Sequence, residues 1–131
     1  MILLDTSAIY ALAAVKDPNN VRAKAYMERA LADGEELLIH SYIISEASSL
    51  LQRRLGLAAA STFARQVADF TVHWLGAEDH EEALRLLEAR SRRGLSLVDC
   101  ASFVVMRRYG VTQALAFDAD FEREGFALYR D

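Results

Sequence analysis

Three large aliphatic residues, Ile2-Leu3-Leu4, run without interruption into the carboxylate of Asp5. A strand with one wet face alternates apolar and polar side chains, so an unbroken run this short reads as a strand covered on both faces, as in a parallel sheet between helices. That reading demands helices on both sides and places Asp5 at the carboxyl end of the first strand. In an open α/β sheet this is the edge where ligands bind.

The rest of the chain supplies the helices. Thr6 to Val15 reads as a helix opened by Asp5, Thr6 or Ser7 as cap, and it stops at Asp17-Pro18-Asn19-Asn20. A second helix spans about Val21 to Ala32, and Leu37 to His40 is a second buried strand. Tyr42 to Leu55 is helical, with Ile43, Ala47, Leu50 and Leu51 on one face. Glu46 lies three residues after Ile43 and four before Leu50, so it is expected on that apolar face, where a lone carboxylate is costly unless paired or bound to a metal. A helix from Ala58 to Asp69, a strand from Thr71 to Leu75 and another helix follow. That helix starts with Glu78, Asp79, Glu81 and Glu82 and finishes with Arg90, Arg92 and Arg93, a gradient that matches the helix macrodipole. These four acids therefore read as helix-start chemistry. Ser96-Leu-Val-Asp99 has capping-box spacing and opens a helix apolar nearly all round, closed by Tyr109-Gly110. Ala114 to Phe117 is a fourth strand ending at Asp118, and Ala127 to Tyr129 a short tail strand. Alternating strands and helices select a three-layer α/β/α fold with a central, mostly parallel sheet of four or five strands. Residues 1–131 are expected to form a single domain.

Composition narrows the classes of function. With 53% hydrophobic and 26% charged residues the chain is neither a disordered nor a membrane sequence, and no basic leader precedes the first apolar run. The lone Cys100 excludes an internal disulfide and fits a reducing cytoplasm; in its apolar helix it reads as a packing residue. A net charge of −4 argues against coating nucleic acid by global charge. Local phosphate contacts from Arg53-Arg54, Arg92-Arg93 or Arg107-Arg108 stay open, although helix-end charge explains those pairs equally well. His40, His73 and His80 lack the spacing of a paired metal ligand. His40 ends the second strand, where it reads as a solvated strand end or a substrate contact. Trp74 and the tyrosines, being unclustered, read as core or dimer contacts.

Placed on this scaffold, Asp5 and Asp118 end strands, Glu46 follows the second strand and Asp99 begins a helix, so all four reach one edge. Converging carboxylates without adjacent lysines or arginines repel one another unless a divalent cation offsets the charge. Hard oxygen ligands favour Mg²⁺ or Mn²⁺, which can activate water and stabilise a leaving oxygen. Singly, each aspartate also reads as a cap or turn residue: Asp5 on the first helix, Asp99 with Ser96, Asp118 in a turn.

In order and at this length, Asp5-Thr6-Ser7, Glu46, Ser96-Leu-Val-Asp99-Cys-Ala, and Phe117-Asp118-Ala-Asp120-Phe121 with Gly125-Phe126 make the chain similar to PIN domains of the short VapC toxin type. The resemblance implies a Mg²⁺- or Mn²⁺-dependent endoribonuclease, usually a homodimer, held inactive by a cognate antitoxin and leaving a 5′-phosphate and a 3′-hydroxyl. It implies Asp5, Glu46, Asp99 and Asp118 as the acidic quartet, with Thr6, Ser7 or Ser96 orienting a carboxylate or water. Many relatives carry Ser or Thr before the fourth acid, whereas Phe117 stands here; Asp118 is taken as the direct ligand and Asp120 as its support.

Two rival readings fit parts of the pattern. Asp118-Ala-Asp120 suggests a haloacid-dehalogenase-type phosphatase, but that chemistry places its paired aspartates after the first strand. A receiver-like or catalytically inert PIN-like binding module is the non-enzymatic reading, and a receiver needs a late lysine, whereas none follows Lys24.

Overall fold

The computed structural model describes residues 1–130. In chain order its elements are β1 (Ile2–Leu4), α1 (Thr6–Ala13), α2 (Asn20–Ala32), β2 (Leu37–His40), α3 (Ser41–Leu55), α4 (Leu57–Gln66), β3 (Thr71–His73), α5 (Ala77–Arg90), α6 (Leu97–Tyr109), β4 (Gln113–Leu115), α7 (Asp120–Arg123) and β5 (Ala127–Leu128). The five strands form one sheet in the order β3-β2-β1-β4-β5, and every neighbouring pair is parallel. Leu3 sits at the centre of the register, opposite Leu38 on one side and Ala114 on the other. As the unbroken apolar run demands, all three residues of β1 are buried.

This strand order positions the site. The chain steps outward from β1 to β2 to β3, then returns across β1 to lay down β4 and β5. The connections leaving β1 and β4 therefore run to opposite sides, towards β2 and β5, and a crevice opens beyond the carboxyl ends of these two strands. Asp5 follows the last residue of β1 directly, and its backbone N–H donates to the Leu115 carbonyl at 3.1 Å.

α6 is the central helix, as its all-round apolarity predicts: Cys100 to Met106 are consecutively buried. Burial pushes the Cys100 thiol up to about 11, in keeping with a packing role. In the first turn of α5, Asp79 Oδ2 accepts from the Gly76 N–H at 3.1 Å and from His73 Nε2 at 2.8 Å.

Four expectations need correcting. His40 is neither solvated nor in contact with substrate: it is fully buried and caps α3, its Nδ1 accepting from the Ile43 N–H at 3.3 Å. That bond leaves the proton on Nε2, which lies 2.8 Å from Ser102 Oγ, and Ser102 in turn donates to the Val98 carbonyl. The chain of bonds ties β2 to α6. Glu46 is exposed rather than buried, because the inward stripe of α3 is Ile43, Ala47 and Leu51. At about 100° per residue Glu46 falls about 60° from Ile43 on the side away from Ala47 and Leu51. The segment 58–69 is a helix followed by a separate 3-10 turn, Val67–Asp69. Trp74 is 69% exposed and is not a core residue. α7, a single turn, carries no periodicity and went unpredicted.

Candidate active site

Asp5 caps α1 and is only 5% exposed. Its Oδ2 accepts from the Ser7 N–H at 3.1 Å and from the Ser7 hydroxyl at 2.6 Å. Ser7 Oγ also accepts from the Phe117 N–H at 3.0 Å. One hydroxyl thus joins the end of β1 to the segment after β4 and aims the buried carboxyl into the crevice. Burial raises the Asp5 pKa to about 6 against the lowering effect of the two Ser7 bonds, and the negative Asp99 and Asp118 raise it further.

Asp99 enters from α6 through the capping box that its spacing foretold. Its N–H donates to Ser96 Oγ at 3.1 Å, while its Oδ2 accepts from the Ser96 N–H at 3.0 Å. Burial raises the Asp99 pKa, Ser96 opposes the rise, and Asp118 and Asp120 add to it. Asp118, beyond β4, accepts from the Asp120 N–H at 2.9 Å, an Asx turn that lets the chain swing into α7. Asp99, Asp118 and Asp120 each present an oxygen within 4.8 Å of the others'.

The structure therefore groups Asp99, Asp118 and Asp120, and brings Asp5 within electrostatic reach of Asp99 and Asp118. Glu46, on the second turn of α3, stands outside the group of three. One premise fails at Asp120, since it does have arginine neighbours: its Oδ1 is 3.2 Å from Arg92 and 3.0 Å from Arg123. Arg123 was within sight as a residue three positions on along a helix; Arg92, 28 residues upstream, left no local signal. The arginine pairs after α5 and in α6 are partly spent on such contacts, with Arg107 on Glu124 and Arg108 on Asp79 and Glu82.

The donors suit a hard divalent ion. They are carboxylate oxygens, with no sulfur or imidazole among the three that converge. Next to Asp5 in the chain, Thr6 Oγ1 is buried with no hydrogen-bond partner, an uncompensated polar atom. Burial is the main cause of the raised pKa values of Asp5 and Asp99, and the neighbouring carboxylates add to it, so a cation placed among them would offset both effects. A separate groove of about 1000 Å³, bordered by Leu12, Met27, Leu31, Phe63 and Phe70, lies among α1, α2 and α4, and no acid of the group lines it.

The PIN domain family matches residues 2–127. The chain is 35% identical to the 23S rRNA-specific endonuclease VapC20 of Mycobacterium tuberculosis, an alignment covering 99% of this chain and 98% of the relative. It is 23% identical to ribonuclease VapC26 of the same organism over 89% of this chain and 86% of that one. The crystal structure of VapC20, described as a sarcin–ricin-loop-cleaving toxin, superposes with a TM-score of 0.88 at 32% identity, covering 100% of both chains. FitAcB from Neisseria gonorrhoeae shares the fold, with a TM-score of 0.65 at 13% identity over 99% of this chain and 97% of that one. With both the sheet and the acids at its switch point in hand, the chain belongs to the PIN-domain family, among its VapC-type toxin endoribonucleases.

Proposed function

We propose that the protein cleaves ribosomal RNA at the switch-point acids with Mg²⁺, or Mn²⁺ in its place, as the toxin of a toxin–antitoxin pair. The convergence of Asp99, Asp118 and Asp120 within 4.8 Å beside the buried Asp5 carries the reading. The substrate class follows from the 23S rRNA specificity in the name of the 35%-identical relative, and the sarcin–ricin loop is the first site to try.

Asp99 and Asp118 are the proposed direct ligands, with Asp5 central and Asp120 as support. Asp120 Oδ1 is engaged by two guanidiniums, which suits a carboxylate that steadies its neighbours or a water of hydration. Asp118 is oriented by the Asp120 N–H, Asp99 by Ser96, and Asp5 by Ser7; Thr6 supplies a hydroxyl for a water or phosphate oxygen. Glu46 is proposed as the remaining acid of the quartet, reaching the crevice from the exposed side of α3. A bound Mg²⁺ would lower the pKa of water and offset charge on the phosphoryl oxygens. The products are a 5′-phosphate and a 3′-hydroxyl. Family membership also supports a cytoplasmic homodimer with a protein antitoxin. No helix among the described residues is long and apolar enough to cross a membrane.

The test is cleavage of labelled ribosomal RNA by wild type, Asp5→Asn, Asp118→Asn and Asp120→Asn, purified identically, in Mg²⁺, Mn²⁺ or EDTA. Metal-dependent cutting is expected in the wild type and lost in Asp5→Asn and Asp118→Asn. Asp120→Asn is expected to weaken the response to metal by about 10- to 100-fold, the usual cost of losing a supporting partner. Equal cutting by wild type and Asp118→Asn would overturn the assignment.

A further inference from the structure

A polyanionic strand has to approach a pocket made of carboxylates, so positive groups must hold it there. The arginines of the acid cluster are already committed: Arg92 and Arg123 pair with Asp120. Two others are not. Arg22, on the first turn of α2, and Arg130, after β5, are exposed, and among the described residues neither pairs with a carboxylate. Their guanidiniums lie over the Phe117 ring, at 5.5 Å and 5.4 Å from its centroid, and Arg130 also lies 4.9 Å from the Tyr26 centroid. Tyr26, one turn after Arg22 on α2, stacks on Phe117 with centroids 6.2 Å apart.

We propose that Arg22, Phe117 and Arg130 form a platform that grips the phosphates of the RNA strand next to the scissile bond, an inference that rests on the ribonuclease reading above. A guanidinium held by its face against an aromatic ring presents its N–H donors at the edge, and those of the five that are not bonded within the protein can meet phosphate oxygens. Further bonds hold both in place: Arg130 donates to the Tyr129 carbonyl at 2.7 Å and the Ala116 carbonyl at 3.2 Å, and Arg22 donates to Asn19 Oδ1. Phe117 couples the platform to the chemistry, because its N–H donates to the Ser7 hydroxyl that itself donates to Asp5. Phe117 also precedes Asp118 directly. A strand held at the two guanidiniums would thereby keep a fixed register with the acids. The aromatic ring at position 117 acquires a purpose: it orders two cations beside a negative pocket.

The experiment measures equilibrium binding of a fluorescein-labelled RNA hairpin with the 23S rRNA sarcin–ricin loop sequence, across a salt series. The full-length chain carries Asp99→Asn so that the RNA stays intact. Adding R22Q and R130Q together is expected to weaken binding by about tenfold and to flatten the log Kd against log salt slope by about 1.4 to 1.8, two phosphate contacts' worth. The R22K and R130K pair should keep that slope, and F117L, which leaves both charges, should weaken binding with the slope unchanged. Thermal melts of each variant confirm that the exposed substitutions leave the fold intact. Binding within twofold of the parent with an unchanged slope in the double glutamine variant overturns the platform. If wild type still cuts RNA with metal in that case, the ribonuclease reading stands without it. A parent that binds no hairpin, together with a wild type that cuts no RNA, brings down both.

Discussion

Asp5 is a carboxylate where water hardly reaches, and its raised pKa makes a stability prediction that needs no substrate. In the folded, metal-free protein it titrates near 6, against an ordinary value of 3.8. The fold therefore favours the protonated form: the contribution is complete below pH 4 and is lost as pH rises through about 6. Two units correspond to about 3 kcal/mol. In EDTA, Asp5→Asn is expected to gain stability over wild type on going from pH 4 to pH 7.5 by an amount of that order, since asparagine still accepts the Ser7 bonds. Urea unfolding at the two pH values checks it, and a gap independent of pH would refute it. Comparing the two proteins is necessary because His40 acts in the opposite sense. Burial, with His73 adding to it, lowers His40 from 6.5 to about 3, so its contribution is present above pH 6.5 and fades as the pH falls. That term is common to both proteins and cancels. Saturating Mg²⁺ should erase the advantage of the variant, because an ion that binds only the folded wild type stabilises it by mass action.

At the scale of elements, the start of α6 shows how a local motif can hold a carboxylate of the acidic cluster. The four residues Ser96 to Asp99 satisfy two helix-end N–H groups reciprocally, and the same exchange fixes the Asp99 carboxylate. Ser96→Ala is expected to cost about 1 kcal/mol of stability, seen as a fall of a few degrees in melting temperature. Its metal-dependent cleavage should fall further than that loss of folded protein explains, with Ser96→Thr restoring both. A melting shift with undiminished cleavage would show that the box is structural only. This motif was legible because every participant lies within one turn. The exposure of Glu46 is not legible in the sequence for the complementary reason. On a helix face the boundary between buried and exposed lies between adjacent positions, and which side of Ile43 faces the core depends on the neighbouring elements.

Across the whole molecule, the strand order puts the acidic crevice between β1 and β4, whose closest acids, Asp5 and Asp118, are 113 positions apart in the chain. The outside of the molecule is left with exposed apolar side chains, among them Trp74, Val15, Val21 and Leu57. A homodimer is the expected way to cover part of that surface. Sedimentation equilibrium at micromolar concentration should return twice the 14.6 kDa chain mass; a concentration-independent monomer would rule the dimer out.

The amino-acid sequence by itself determined the layers and the sheet edge. Short apolar runs with no polar alternation, too brief for helices and bounded by turn or cap residues, read as doubly covered strands, and a carboxylate at the end of such a run, as at Asp5, falls where the strand ends. It also determined the capping box, whose geometry follows from helix pitch. Only the tertiary structure decided that β4 lies beside β1, that the Ser7 hydroxyl joins their ends, that His40 is sealed against Ser102, and that Arg92 reaches Asp120. These contacts join residues far apart in the chain. Helical and strand periodicity report which side of an element is apolar, but they carry no record of which element will pack against that side.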